Sequence, residues 1–204
     1  MNFGLYFNLG WEHITDPTGY DHILFIIAMC AVYRISDFKK VAIMVTAFTV
    51  GHSISLALAI LNIIPVWTEL IEFLIPVTIL ITCFRNIAFP SKTEIALAQQ
   101  IDKTDYWRYF WILSFGLIHG LGFSNFLRAT LVADESIFSP LLAFNIGLEI
   151  GQLLIVFFVF VVGFVFLNIL QKQQRDWNLF ISGIVAGPAA ILALERIGAL
   201  FNSN

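Results

Sequence analysis

The sequence predicts an all-α, polytopic membrane protein: a bundle of about six transmembrane helices with both termini outside. Three observations predict it. The 204-residue chain is 59% hydrophobic, with a mean hydropathy of +0.85. Only 12% of its residues are charged, against about 25% in a soluble domain. The apolar residues collect in long runs, approaching the roughly 20 residues a helix needs to cross a bilayer. No second domain is visible, so residues 1–204 read as a single integral-membrane domain. A net charge of −3 and scattered basic residues argue against a nucleic-acid partner.

The runs place spans at about 16–34, 40–62, 68–90, 107–131, 139–170 and 178–201. Met1 to Leu9 is apolar and neutral and lacks the basic start of a signal peptide, so it reads as a short interfacial segment. Ile23 to Tyr33 carries no charge and Arg34 closes it; counting back about 20 residues puts the start of the first span near Thr15. Pro76 and Pro188 predict kinks in the third and sixth spans. The fifth is long enough to tilt or to extend past the bilayer. The connection 91–106 holds Lys92, Glu94, Asp102, Lys103 and Asp105, which predicts a partly helical segment on the membrane surface. Arg34, Lys39, Lys40, Arg85, Lys92, Lys103, Arg108, Lys172 and Arg175 fall at the ends joined by the odd-numbered loops, and only Arg128 and Arg196 fall opposite. The odd loops are therefore expected in the cytoplasm, in a bacterial inner (cytoplasmic) membrane. Cys30 and Cys83 lie inside spans and read as small buried hydrophobes.

Ionisable residues inside spans mark functional sites, because burying them in lipid is expensive. Asp21 and His22 open the first apolar run, beside Gly19 and Tyr20. His52 lies in the second span, Glu72 near the start of the third, His119 in the fourth and Glu149 in the fifth. At 1.5 Å per residue, His52 and Glu149 lie about 15 Å from the outer ends of their spans and His119 about 18 Å, with Asp21, His22 and Glu72 shallower. All fall in the outer half or near the midplane. A shared polar centre that opens outward is the economical explanation. Imidazoles and carboxylates there can bind a divalent transition metal, relay protons, or do both. Asn145, Glu149 and Gln152 share one helix face, and Asn145, Gln152, Ser53 and Thr49 are candidates for hydrogen bonds supporting the ligands. Gly116 with Gly120, and Gly147 with Gly151, have the small-xxx-small spacing that lets helices approach closely. These faces serve either the monomer core or a homo-oligomer. Glu195 with Arg196, near the end of the sixth span, reads as an interfacial pair.

Several stretches resemble the HupE/UreJ family of hydrogenase and urease accessory membrane proteins. They are Trp11-Glu12-His13-Ile14 with Gly19-Tyr20-Asp21-His22-Ile23-Leu24-Phe25, Thr46 to Ile54 around His52, Phe115 to Phe123 around His119, Phe144 to Gln152 around Glu149 and, more weakly, Leu70 to Ile75 around Glu72. The resemblance implies a small polytopic protein associated with nickel or cobalt supply to metalloenzymes. Carried over, His13, Asp21, His22, His52, Glu72, His119 and Glu149 would be the metal contacts. Ile14 stands where the better-known branch has proline, and Pro76 and Thr78 stand where a small residue and serine are usual. The metal stays open between nickel, cobalt and zinc.

Two functions compete. A metal permease would strip water from its ion at Asp21, His22 and Glu72 and bind it deeper at His52, His119 and Glu149. A zinc-dependent intramembrane hydrolase would hold the metal with an open position and use Glu149 or Glu72 as general base on a lipid or membrane peptide. A third reading is a non-transporting accessory protein that holds or senses metal. The partners expected are the metal ion and membrane lipid.

Overall fold

In the computed structural model, which describes residues 3–89, 103–130 and 137–202, the chain folds into helices and the turns between them. α1 (Phe3–Thr15) is followed by a 3-10 turn at Pro17–Gly19 and the short α2 (Asp21–Cys30). A second 3-10 turn at Ile35–Asp37 leads into α3 (Phe38–Ile60), then α4 (Thr68–Ala88), α5 (Lys103–Gly122), α6 (Ser124–Thr130), α7 (Phe138–Phe164) and α8 (Gln174–Asn202). A π-helical turn, Val165–Ile169, extends α7. No strand occurs among the described residues.

Four helical stretches are long and apolar enough to cross a membrane: Ile35–Ile60, Thr68–Ala88, Phe138–Ile169 and Gln174–Phe201. Tyr106–Gly122 and Ser124–Thr130 make a fifth if counted as one span, bent by 50°. These follow the second to sixth predicted spans within a few residues. The outer faces carry large bare side chains, with Phe84 and Leu194 each 72% exposed. Such surfaces are stable against lipid and would aggregate in water. The protein is an integral membrane protein. Most of the predicted surface segment 91–106 lies outside the described residues.

The first predicted span, 16–34, is corrected. It is not one continuous helix, because Pro17 and Gly19 interrupt the chain and Asp16 caps the turn between them. The Asp16 carboxylate accepts from the Thr18 N–H at 2.8 Å and the Thr18 hydroxyl at 2.7 Å. Met1 to Leu9 is likewise no loose interfacial segment where it is described. Phe3 onward belongs to α1, which buries Tyr6, Gly10 and Ile14 against the bundle. At 1.5 Å per residue α1 and α2 are about 20 and 15 Å long, each shorter than the roughly 30 Å apolar core of a bilayer.

α2 lies inside the protein and packs against α4, α7 and α8. Its run is apolar on every side because protein surrounds it, and Phe25, Ile26 and Ala28 to Tyr33 are all buried. A helix that ends inside a membrane protein strands its last carbonyls, each of which needs a donor. Asn86 Nδ2 donates to Ala28 O at 2.7 Å and Gln174 Nε2 to Ala31 O at 3.2 Å. Pro76 creates a similar debt in α4. It lacks the N–H that would bond Glu72 O, and Arg196 Nη1 donates to that carbonyl instead, at 2.8 Å.

Three close helix pairs frame α2: α1 with α7, α3 with α5, and α4 with α8. Glycines bring the first two pairs together. A Cβ on Gly116 would collide with Phe48 O, one on Gly120 with His52 O, and one on Gly147 with Phe7 O. These backbones touch only because no side chain intervenes. Gly116→Val should therefore force α3 and α5 apart and cost about 1–3 kcal/mol through overpacking, read as a lower Tm of the purified protein.

Candidate metal centre

The break between α1 and α2 presents one histidine from each side. His13 lies in the last turn of α1 and His22 in the first turn of α2. Their ring centroids are 4.7 Å apart. α3 contributes His52, with centroids 6.0 Å from His13 and 6.1 Å from His22. α5 contributes His119, 4.9 Å from His22. All four histidines of the chain thus meet at one place, and His22 neighbours the other three. His13, His22 and His52 each offer one nitrogen within 4.8 Å of the others'.

Three of the imidazoles are buried and His13 is half-buried. His22 is 4% exposed, and His52 and His119 are 0% exposed. Phenylalanine rings box them in: Phe123 lies 3.9 Å from His13 between centroids, Phe144 stacks 6.1 Å from His52, and Phe25 and Phe48 stand 5.4 and 5.2 Å from His119. Yet five ring nitrogens have no hydrogen-bond partner among the described residues: Nε2 of His13 and His22, both nitrogens of His52, and Nδ1 of His119. A buried polar atom left unpaired costs about 1–3 kcal/mol. Several together, three of them able to converge within 4.8 Å, form a donor set that fits a metal ion.

Hydrogen bonds assign two of the tautomers. His22 Nδ1 lies 2.8 Å from Asp21 Oδ1, an acceptor, so Nδ1 carries the proton and Nε2 the lone pair. His119 Nε2 lies 3.1 Å from Thr78 Oγ1. The Thr78 hydroxyl gives its proton to Ile75 O at 2.7 Å, so Thr78 accepts from His119 and leaves the Nδ1 lone pair free. A carboxylate or hydroxyl behind an imidazole is the usual support of a metal-binding histidine.

Above the histidines a cavity of about 430 Å³ is lined by Glu12, Asp16, Asp21 and Glu72, with Arg196 the one Lys or Arg among its described lining residues. Arg196 Nη2 lies 3.7 Å from Asp21 Oδ2. Four carboxylates against one guanidinium make this a place that attracts cations. The donor set, imidazole and carboxylate without thiolate, suits a divalent transition metal. Cys30 and Cys83 are free and buried, and neither lines the cavity.

Of the predicted site residues, the structure brings together His13, Asp21, His22, His52 and His119, with Glu72 on the cavity wall. It places Glu149 elsewhere. The Glu149 carboxylate accepts from Thr46 Oγ1 at 2.6 Å and does not line the cavity. One turn on, Gln152 Oε1 accepts from Thr49 Oγ1 at 2.8 Å. These bonds tie α7 to α3 behind His52. Ser53 turns back to Thr49 O at 2.6 Å, and Asn145 Oδ1 is buried without a partner among the described residues. Sequence reasoning missed Arg196 and Thr78. Pro76 was the available signal for Arg196, since it frees the Glu72 carbonyl that Arg196 takes.

No curated protein and no solved structure matches the chain. A family model described as HupE / UreJ protein matches residues 1–196, and so takes in all four histidines and the acidic cavity above them. The chain belongs to the HupE/UreJ family.

Proposed function

We propose that this protein is a membrane carrier that supplies a divalent transition metal of the nickel or cobalt type, with the ion as its substrate. The observation that carries the reading is the set of unpartnered imidazole nitrogens at the foot of an acidic cavity. The carboxylates at the mouth would gather the hydrated ion, and His13, His22 and His52, with His119 beside His22, would replace its water.

The break between α1 and α2 supports this reading. Discontinuous helices place substrate sites near the midplane of many transporters. α1 runs parallel to α7, with Gly10 against Phe144 and Ile14 against Gly151. We read α1 and α2 as two halves of one crossing that descends from the outer side. On this reading the protein has six crossings and both termini outside, as one domain in an inner bacterial membrane. The C-terminal end of α1 carries partial negative charge, at the turn that holds His13.

Uptake of radioactive nickel, cobalt and zinc into proteoliposomes tests the proposal. Saturable uptake that His52→Ala abolishes is the expected result. Thr78→Val, which removes the acceptor behind His119, should weaken metal binding about 10-fold, measured by titration calorimetry. One observation favours the zinc hydrolase as a second reading: Phe25 stacks on Phe48 with centroids 4.9 Å apart and both rings stand against His119, so apolar side chains back the imidazoles. Tightly held zinc without flux in either direction would select the hydrolase and discard the carrier.

A further inference from the structure

A second cavity, about 270 Å³, lies toward the opposite end of α2 from His22. Its inner wall is apolar and includes Phe25, Met29, Met44 and Phe115, and its polar edge holds Arg85 and Arg108. Phe25 belongs to both neighbourhoods, since its ring also stands 5.4 Å from His119. The two guanidiniums make this cavity a poor way out for a divalent cation, so it needs another occupant.

Among the described residues, no carboxylate neutralises the two arginines. Arg108 Nη1 donates to the Tyr33 hydroxyl at 2.8 Å and its guanidinium lies 5.7 Å from the Tyr33 ring centroid. The stranded carbonyls at the end of α2 are also taken, by Asn86 and Gln174. On the rim, Ile81, Phe89 and Trp111 are 48, 71 and 45% exposed. The cavity therefore opens sideways between α4 and α5, toward lipid.

We propose that this cavity binds an acidic phospholipid, with the phosphate held by Arg85 and Arg108 and an acyl chain lying among Phe25, Met29, Met44 and Phe115. Basic pockets between helices on the cytoplasmic side suit anionic headgroups, and an apolar interior behind two charges suits a chain attached to the anion. The proposal stands apart from the metal reading, and either can fail alone.

Trp111 supplies the probe. The protein is reconstituted in nanodiscs containing brominated-acyl phosphatidylglycerol or brominated-acyl phosphatidylcholine, and quenching is assigned to Trp111 by difference from Trp111→Phe. Half-maximal quenching is expected at a mole fraction about tenfold lower for phosphatidylglycerol, one to two basic contacts in size. Arg85→Gln with Arg108→Gln should erase the preference, and the two lysine variants should retain most of it. Arg85→Gln alone is the second variant; it removes no hydrogen bond or ion pair to a described residue and should still lower the preference severalfold. Equal quenching by the two lipids, or an unchanged preference in the glutamine variants, overturns the proposal. Reversal of the quenching by millimolar inorganic phosphate also overturns it, because a free anion would then be the ligand.

Discussion

His22→Ala is expected to lower the affinity for nickel or cobalt by more than about 100-fold, beyond the 10–100-fold that follows loss of a supporting residue. His22 is the one histidine whose ring neighbours those of His13, His52 and His119. Its Nε2 is unpartnered while its Nδ1 proton is fixed on Asp21. The substitution removes a lone pair already oriented for a metal and leaves His13 and His52 as an incomplete set. The fold should survive, because the lost contacts surround a polar cavity. Titration calorimetry in detergent reads the affinity, and an unchanged Tm separates a lost ligand from a lost fold. Retention of wild-type affinity would remove the imidazole cluster from consideration as the binding centre.

Much of this centre was legible in the sequence because a polar residue in a long apolar run carries a cost that something must offset. His52 and His119 stood at compatible depths in separate runs, and the structure brings both beside His22. The same reasoning overreached at Glu149. Depth along a helix says how far a residue lies from an interface, and nothing about which way it faces. Glu149 has the depth of His52 but turns to Thr46. The first span misled for a related reason. Hydropathy treats an apolar run as facing lipid, whereas α2 is apolar because protein encloses it. The turn at Pro17–Gly19 carried the signal of a broken helix, in a proline and a glycine beside a capping Asp16. Pro76 signals a freed Glu72 carbonyl, but nothing in the sequence singles out Arg196 as its donor, because the two lie more than a hundred residues apart in the chain.

Arg196 explains how the cavity can be acidic and still stable without its ion. The guanidinium spans the Glu72 carbonyl and the Asp21 carboxylate, so it stands as a tethered cation where a metal would approach. Asp21→Asn should weaken metal binding about 10–100-fold, since it removes the charge behind His22 while nearly keeping the shape of the side chain. Arg196→Gln should act in the opposite direction and tighten binding severalfold, because the competing charge is gone. The two residues share a contact, so their effects should not add. In the double variant the mouth loses one negative and one positive charge, and affinity should lie above that of Asp21→Asn alone and below that of Arg196→Gln. Dependence on ionic strength should be weakest in Asp21→Asn and strongest in Arg196→Gln, following the net charge at the mouth. A double-mutant cycle on the dissociation constant measures the coupling. If the two effects simply add, Arg196 is a helix tether only, and the acidic cavity draws its ion without competition from the protein's own cation.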